Sequence, residues 1–333
     1  MISKYVLLFK APFTFMRLLH NQWLKPAELR ELQDKKLRVL IEHSYKNVPY
    51  YHSLLKKAKI TPDDIKTVDD LRKIPISKKE NIRDLTLKEI TAKNADLNMC
   101  QIVGTSGTTG IPVSVPWDSK AITIHILTHI RWIRACGNKI TNRIVQIGPS
   151  WLPTNHLMQR IGIYKTKYVS PLEYLEKQIE EIRKFKPNAL IGYPSCTRLL
   201  AVETRERSVH EVKPSLVFTG GEMLDEYTRK LIKDVWGAET FDHYGCLEAG
   251  DISYECDKRE GYHILNDSIL VEIIKDNDVV SAGEKGEITV TNLYNYAGPI
   301  IRYNLEEIGF LLEEGCTCGR SFPLMKITGG RKS

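Results

Sequence analysis

The 333-residue chain has no internal repeat, no low-complexity tract and no long uninterrupted apolar run. The last absence removes a membrane-spanning helix, which needs about twenty consecutive apolar residues. The N-terminus, Met1 to Trp23, comes nearest, with Tyr5-Val-Leu-Leu-Phe9 and Phe13-Thr-Phe-Met16. Lys10 and Pro12 interrupt it, Arg17 follows, and no small-residue cleavage site appears, so a signal peptide is not expected. It reads as an arm packed on the body, with weak membrane-surface contact as the minority reading. An excess of one charge is missing too: the net +7 is scattered, and the pairs Lys35-Lys36, Lys56-Lys57 and Lys78-Lys79 have acidic neighbours. Without an interleaved aromatic and basic platform, nucleic acid is not an expected partner. The seven cysteines are odd in number and spread over a large chain, so no secreted disulfide framework exists and the expected location is cytoplasmic. With 42% hydrophobic residues the chain can bury a large core of more than one subdomain.

Familiar catalytic signatures are lacking as well. Gly104 and Gly107 do not lead into a Gly-Lys-Ser/Thr ending, which excludes a Walker loop. No G-x-G-x-x-G follows a strand, so the dinucleotide fingerprint fails. His125 and His129 lack the glutamate of H-E-x-x-H, leaving helix-face packing as their default. Cys246 has no paired base beyond His243, so a thiol nucleophile is disfavoured.

What is present is the stretch Val103 to Pro112, in which Gly104 to Gly110 are all glycine, serine or threonine. Bare glycines let main-chain N–H groups approach an anion, and hydroxyls add donors without charge. Placed between extended runs at Met99–Val103 and Pro112–Trp117, the loop suits a polyphosphate; a plain surface turn is the alternative.

Periodicity organises the rest. Residues 26 to 93 read as helical, with Leu29, Leu32, Leu37, Leu40 and Ile41 near one face, Pro26 in the first turn and a break at Asn47–Tyr51. Strands are expected at Arg143–Ile147, Ala189–Gly192, Ser215–Thr219 and Glu239–Asp242. Helices at Leu172–Phe185, Pro194–Arg207 and Asp225–Trp236 alternate with them, which indicates a parallel sheet with crossover helices. Beyond Gly250, short runs at 263–265, 269–274, 286–291 and 300–303 indicate a smaller antiparallel β region. No helix or strand is expected at the Gly329–Ser333 end.

Two segments fall where open α/β sheets bind ligands, at the carboxyl ends of strands. Phe218-Thr-Gly-Gly-Glu222 and Asp242-His-Tyr-Gly-Cys-Leu-Glu248 follow successive strands. Tyr244 offers a ring for a base, and Glu248 an acid for magnesium beside phosphates. Arg302, in Ile300–Glu307, sits near a carboxylate suited to ribose hydroxyls. Of Trp117, Trp132, Trp151 and Tyr193, all equally suited to the core, Tyr193 at a strand end is the best placed to touch an acid substrate.

Together with Leu37–Tyr51, Tyr254-Glu-Cys256, Gly-Tyr-His263, Ile301-Arg-Tyr303 and Cys316-Thr-Cys-Gly-Arg320, these segments resemble the adenylate-forming superfamily. The likeness is strongest to its phenylacetate–CoA ligase branch, which includes relatives encoded with capsule genes. The resemblance implies an α/β large N-terminal domain, with a mainly parallel sheet, crossover helices and a smaller antiparallel β subdomain. Its expected divisions are a helical segment at 1–95, a nucleotide- and acid-binding core at 96–250, a β subdomain at 251–328 and a hinge start at 329–333.

The implied activity is ATP-dependent activation of a carboxylic acid, aryl or aryl-acetic, to an acyl-adenylate with release of pyrophosphate. Transfer to coenzyme A follows in the family. Carried over, Thr105, Ser106, Gly107, Thr108, Thr109 and Gly110 would hold the β- and γ-phosphates, with Thr105 and Glu248 as catalytic residues. Gly220, Gly221, Glu222, Asp242, His243, Tyr244 and Gly245 would frame the adenine of ATP or AMP, and Arg302 and Glu307 would serve the ribose. Glu248 would bind Mg²⁺, and Tyr193, His243 and Gly245 would contact the acid.

Three departures matter. Glu307 stands where the family has aspartate, Ile111 where relatives often have lysine, and relatives add a C-terminal lid with a catalytic lysine beyond Gly330-Arg331. The expected alternative is therefore a catalytically impaired nucleotide-binding or assembly protein linked to capsular polysaccharide. A homodimer is left open. Finally, Cys256, His263, Cys316 and Cys318 lie in turns of the small β region and, with the resemblance, imply a structural Zn²⁺ site. The alternative is ordinary thiols and a surface histidine.

Overall fold

A computed structural model describes residues 2–104, 113–148, 160 and 162–331, and side chains from residue 11 to 329 within those ranges. The Thr105–Gly110 loop, Ile111 and Trp151 lie outside the described residues. The chain divides into two compact units, one of residues 1–128, 246–253 and 260–333, the other of residues 129–245 and 254–259.

The first unit begins with α1 (Ile2–Asn21), α2 (Pro26–Asn47) and α3 (Pro49–Lys57). The N-terminal arm is one helix that continues through Pro12. Proline 12 lacks an N–H, yet one missing hydrogen bond in a 20-residue helix is tolerated where the chain can bend. In α2, Pro26 supplies the first turn and the Glu28 carboxylate accepts the Lys25 N–H at 2.9 Å. Leu29, Leu37, Leu40 and Ile41 are buried as expected, while Gln33 is buried and Leu32 only half-buried. Further along the stretch read as helical come two 3-10 turns, Pro62–Asp64 and Val68–Lys73, and then α4 (Lys79–Arg83) and α5 (Leu87–Ile90).

Strands β1 (Gln101–Gly104) and β2 (Ser114–Trp117) form an antiparallel pair with Gly104 opposite Ser114. The helix α6 (Ser119–Ala135) comes next. The larger sheet of this unit uses β8 (Gly250–Glu255), β9 (Tyr262–Ile264), β10 (Ile269–Lys275), β11 (Asp278–Val279), β12 (Gly286–Asn292), β13 (Tyr303–Leu311) and β14 (Leu324–Arg331). Their order is β11-β10-β12-β13-β14-β9-β8. Two expectations are corrected here. The run at 300–303 is mostly the approach to β13, and the C-terminal segment is a strand, hydrogen-bonded to β13 and β9. The β-branched Ile327 and Thr328 within it carry that signal, which Gly329-Gly330 masks in sequence. A core of Leu37, Leu40, Tyr51, Leu71, Leu270 and Ile301 joins helices to sheet.

The second unit holds β3 (Arg143–Ile147), β4 (Lys165–Val169), β5 (Ala189–Gly192), β6 (Leu216–Gly220) and β7 (Glu239–Cys246), in the parallel order β7-β6-β5-β3-β4. Helices α7 (Leu175–Phe185), α8 (Pro194–Glu206) and α9 (Glu226–Trp236) alternate with the strands. Strands covered on both faces must be apolar throughout, and all four residues of β5 are buried. Asp225 caps α9 by accepting the Thr228 N–H at 2.6 Å, and Gly237 ends it at φ 70°. β4, with alternating lysines, escapes the sequence reading because an edge strand lacks the continuous apolar run.

Candidate active site

In the parallel unit the strand ends converge. β6 and β7 are registered so that Thr219 faces Asp242 and Gly220 faces His243. The Thr219 hydroxyl donates to Asp242 Oδ1 at 2.6 Å, and the Thr219 carbonyl receives the His243 Nδ1 proton at 2.9 Å. A carbonyl only accepts, so Nδ1 carries hydrogen. A Cβ on Gly220 would lie 2.1 Å from the His243 ring, which explains why the residue is glycine. Gly221 (φ 78°) packs against the Tyr193 ring, 2.7 Å from its would-be Cβ, and Gly148 flanks the same ring at 3.3 Å. Tyr193 thus lies in a slot between two glycine backbones. Burial, then the charge of Glu222, pushes its phenol up.

Glu222 also holds a helix in place: its carboxylate accepts the Ser195 N–H and hydroxyl, each at 3.0 Å, at the start of α8. A carboxylate at a helix N-terminus satisfies otherwise orphan donors. His243 packs on Trp132 (centroids 4.5 Å apart) and against His129 (5.5 Å), and Trp132 meets Phe218 edge-on at 5.3 Å. His129 therefore packs on the aromatic cluster around His243. Tyr193, Gly220, Gly221, Glu222, Asp242 and His243 are brought together. Tyr244 and Gly245, expected in a loop after the strand, are half-buried residues of β7 itself, which extends to Cys246. Glycine 245 and the polar run hide that extension in sequence.

In the other unit, Glu248 is buried at 3% exposure and accepts the Tyr303 hydroxyl at 3.2 Å. Burial and the Glu248 charge push the Tyr303 phenol well up, so it stays a donor. Cys246 is pushed up as well, by burial and then by Glu248, with Glu307 adding to the effect; the thiol is held neutral, unlike an activated nucleophile. Cys246, Glu248, Tyr303 and Glu307 thus share one neighbourhood. The Ile301-Arg-Tyr303 segment alone does not disclose this role for Tyr303; its place at the start of a half-polar strand is the signal. Nearby, Gly250 (φ 82°) is closely packed by Tyr294, Trp117 and His125, and His125 Nδ1 lies 3.8 Å from Asp251.

Arg302 does not fit a ribose contact as expected. Its guanidinium is buried, makes a bidentate pair with Glu272 (3.0 and 2.9 Å) and donates to the carbonyls of Arg72 and Ile74. These bonds hold a non-glycine residue at φ 46°, a costly left-handed conformation. Its geometry is that of a clamp.

Of the expected zinc ligands, His263, Cys316 and Cys318 belong to this unit, and their ligand atoms lie within 4.8 Å of one another. His263 Nε2 is 3.4 Å from the Cys318 sulfur, while Nδ1 faces the Phe322 carbonyl at 3.2 Å. That carbonyl fixes the tautomer and leaves Nε2 as a donor for a metal. Burial raises the Cys318 thiol, but hydrogen bonds from Arg320 and Cys316 more than offset it, so the thiol is lowered overall. Soft thiolates with imidazole suit zinc. Cys256 is buried in the other unit, and its sulfur accepts the Lys258 N–H at 3.3 Å.

Comparison with known proteins gives a consistent picture. The chain is 31% identical over 297 residues to the phenylacetate–coenzyme A ligase of Escherichia coli, covering 86% of this chain and 68% of that protein. It is 29% identical over 314 residues to the corresponding ligase of Thermus thermophilus, covering 91% of this chain and 70% of the relative. No protein-family model matches. Among solved structures, an open conformation of 2-hydroxyisobutyryl-CoA ligase, in complex with 2-HIB-AMP and CoA, superposes with a TM-score of 0.82 at 17% identity. The match covers 93% of this chain and 76% of that one, and shows the shared fold.

Proposed function

The chain belongs to the phenylacetate–coenzyme A ligase family, and we propose that it activates a carboxylic acid with ATP, forming an acyl-adenylate and pyrophosphate. The single observation that carries this reading is the relationship to phenylacetate–coenzyme A ligases over nine-tenths of the chain. The buried Glu248–Tyr303 pair supports it. One oxygen of the acid attacks the α-phosphorus of ATP, and the bond to the leaving pyrophosphate breaks. No protein nucleophile is needed, in keeping with the neutral Cys246 thiol. Positioning and electrostatics supply the rate.

The donors of residues 105–110 take the β- and γ-phosphates, and the Gly220–Glu222 and Asp242–Gly245 segments frame the adenine. Glu248 is suited to Mg²⁺: a single buried carboxylate beside phosphates is a common setting for that ion. When bound, Mg²⁺ shields the phosphate charge. Glu307 remains the candidate for the ribose, with Arg302 fixing the strand before it. Tyr193, in its slot between Gly148 and Gly221, suits a flat apolar acid, aryl or aryl-acetic. The acyl group then passes to the sulfur of coenzyme A, releasing AMP; the chain spans about 70% of the relatives that share this name. Structural Zn²⁺ is proposed on His263, Cys316 and Cys318.

The test is exchange of labelled pyrophosphate into ATP across a panel of carboxylic acids that includes phenylacetate. Acid-dependent exchange, lost in Glu248→Ala, supports the proposal. Saturable ATP binding with no exchange for any acid overturns it in favour of an idle nucleotide-binding protein.

A further inference from the structure

The arm α1 carries a surface that the proposed chemistry leaves unused. Its 20 residues include Lys4, Lys10, Arg17 and His20 and not one aspartate or glutamate. Phe13 (76% exposed) and Met16 (66%) stand one helical turn apart, with Arg17 and His20 exposed on the same 3-and-4 spacing. Large exposed apolar side chains scattered singly need no explanation; an apolar and basic stripe on one helix does.

The end of this helix is fixed. Leu18 is buried, Asn21 Nδ2 donates to Asp267 at 2.9 Å, and the Gln22 carbonyl accepts the Ser321 N–H at 2.9 Å. Arg320 donates to the Gln22 side chain at 3.1 Å and lies over the Trp23 ring, 5.2 Å from its centroid. The stripe is therefore presented by an anchored helix. No helix among the described residues is long and apolar enough to cross a membrane, so the stripe suits lying at a surface.

We propose that α1 docks the protein on an anionic lipid surface, with Phe13 and Met16 entering the headgroup boundary and the basic residues of the helix, Arg17 foremost, serving lipid phosphates. Two features identify this occupant. Aromatic and thioether side chains with flanking cations match an amphipathic helix lying in the interface plane. The complete lack of acids across the helix gives it the charge complementarity that an anionic bilayer rewards, roughly fivefold in partitioning for each basic residue near it. An acyl product or acceptor need not be a lipid for this attachment to operate.

The experiment is sedimentation of the full chain with vesicles of equal parts phosphatidylglycerol and phosphatidylcholine, against pure phosphatidylcholine. Binding should require the anionic lipid and fall several-fold on raising salt from about 0.1 to 0.5 M, as the screening length shortens. Phe13→Ser/Met16→Ser and, separately, Lys10→Glu/Arg17→Glu should each lower partitioning at least about tenfold, while pyrophosphate exchange and thermal midpoint stay unchanged. Absence of binding to the anionic vesicles overturns the proposal, as does binding by both double variants equal to that of the parent chain. A concentration-dependent dimer that Phe13→Ser/Met16→Ser abolishes, without vesicle binding, overturns it too and assigns the stripe to a second copy instead. None of these outcomes depends on whether the chain forms adenylates.

Discussion

The two units are ordered internally by opposite means. The parallel unit works by shape: Gly148, Gly220 and Gly221 give up side chains so that the Tyr193 and His243 rings approach bare backbone. The antiparallel unit works by charge: Glu248, Glu272 and Arg302 are removed from water and held by Tyr303 and by one another. Steric preparation tolerates little added volume and is nearly indifferent to pH or salt. Electrostatic preparation tolerates volume but fails when a partner is removed. Substitutions in the two units should therefore fail in different ways.

The largest expected loss tests the charged side. Glu248→Ala should lower acid-dependent pyrophosphate exchange by about a hundredfold or more, the scale of losing one preorganised electrostatic group. Urea denaturation of this variant should remain cooperative, and a large loss of stability would mean that Glu248 serves the fold rather than the ligand.

Next in size is Arg302→Ala. It leaves Glu272 buried without its cation, at a cost of about 3–5 kcal/mol in unfolding free energy. Burial already raises the Glu272 carboxyl against the opposing pull of Arg302. A folded-state value above the unfolded one means that the contribution is greatest in acid and is lost as pH rises through the folded value. Without Arg302 that raise grows, so the variant's deficit should widen from about pH 4 towards pH 7. A deficit that does not change with pH would show that Arg302 acts through the backbone conformation alone.

On the steric side, Gly220→Ala should cost about 1–3 kcal/mol, the usual scale of overpacking, and should raise KM for the acid by displacing the His243 ring. Equal unfolding midpoints for Gly220→Ala and the parent chain would remove the contrast between the units. The smallest expected effect concerns the metal. Elemental analysis should find about one zinc per chain, and chelation should lower Tm by on the order of 5 °C, with Cys318→Ser reproducing the loss. A metal-free preparation of full stability would leave His263, Cys316 and Cys318 as ordinary thiols beside a buried ring.

The alternation of strand and helix from 143 to 246 was legible because each parallel strand is a short apolar run bounded by turn residues, as in Ala189–Gly192. The place of Phe218-Thr-Gly-Gly-Glu222 after a strand was legible too, though not the rings that pack on its glycines. Less legible were features that depend on partners remote in sequence. Arg302 reads as a ligand-binding cation until Glu272 and the carbonyls of Arg72 and Ile74 are seen around it. Glu222 similarly reads as a nucleotide contact until the start of α8 is found on its carboxylate. Period-two patterning could not find β14, because it ends among glycine and basic residues and pairs with strands on either side.

The short β1–β2 ladder sets a rule for how this chain can vary. Gly104 is fixed opposite Ser114 and Gln101 opposite Trp117, and the Trp117 ring lies 5.4 Å from His125 and 5.7 Å from Tyr294. Removing one residue inside β2 would send the indole to the opposite side of the ribbon and strip His125 and Tyr294 of their neighbour. Insertions and deletions are therefore forbidden within the strands, whose register fixes both anchoring points of the segment between them.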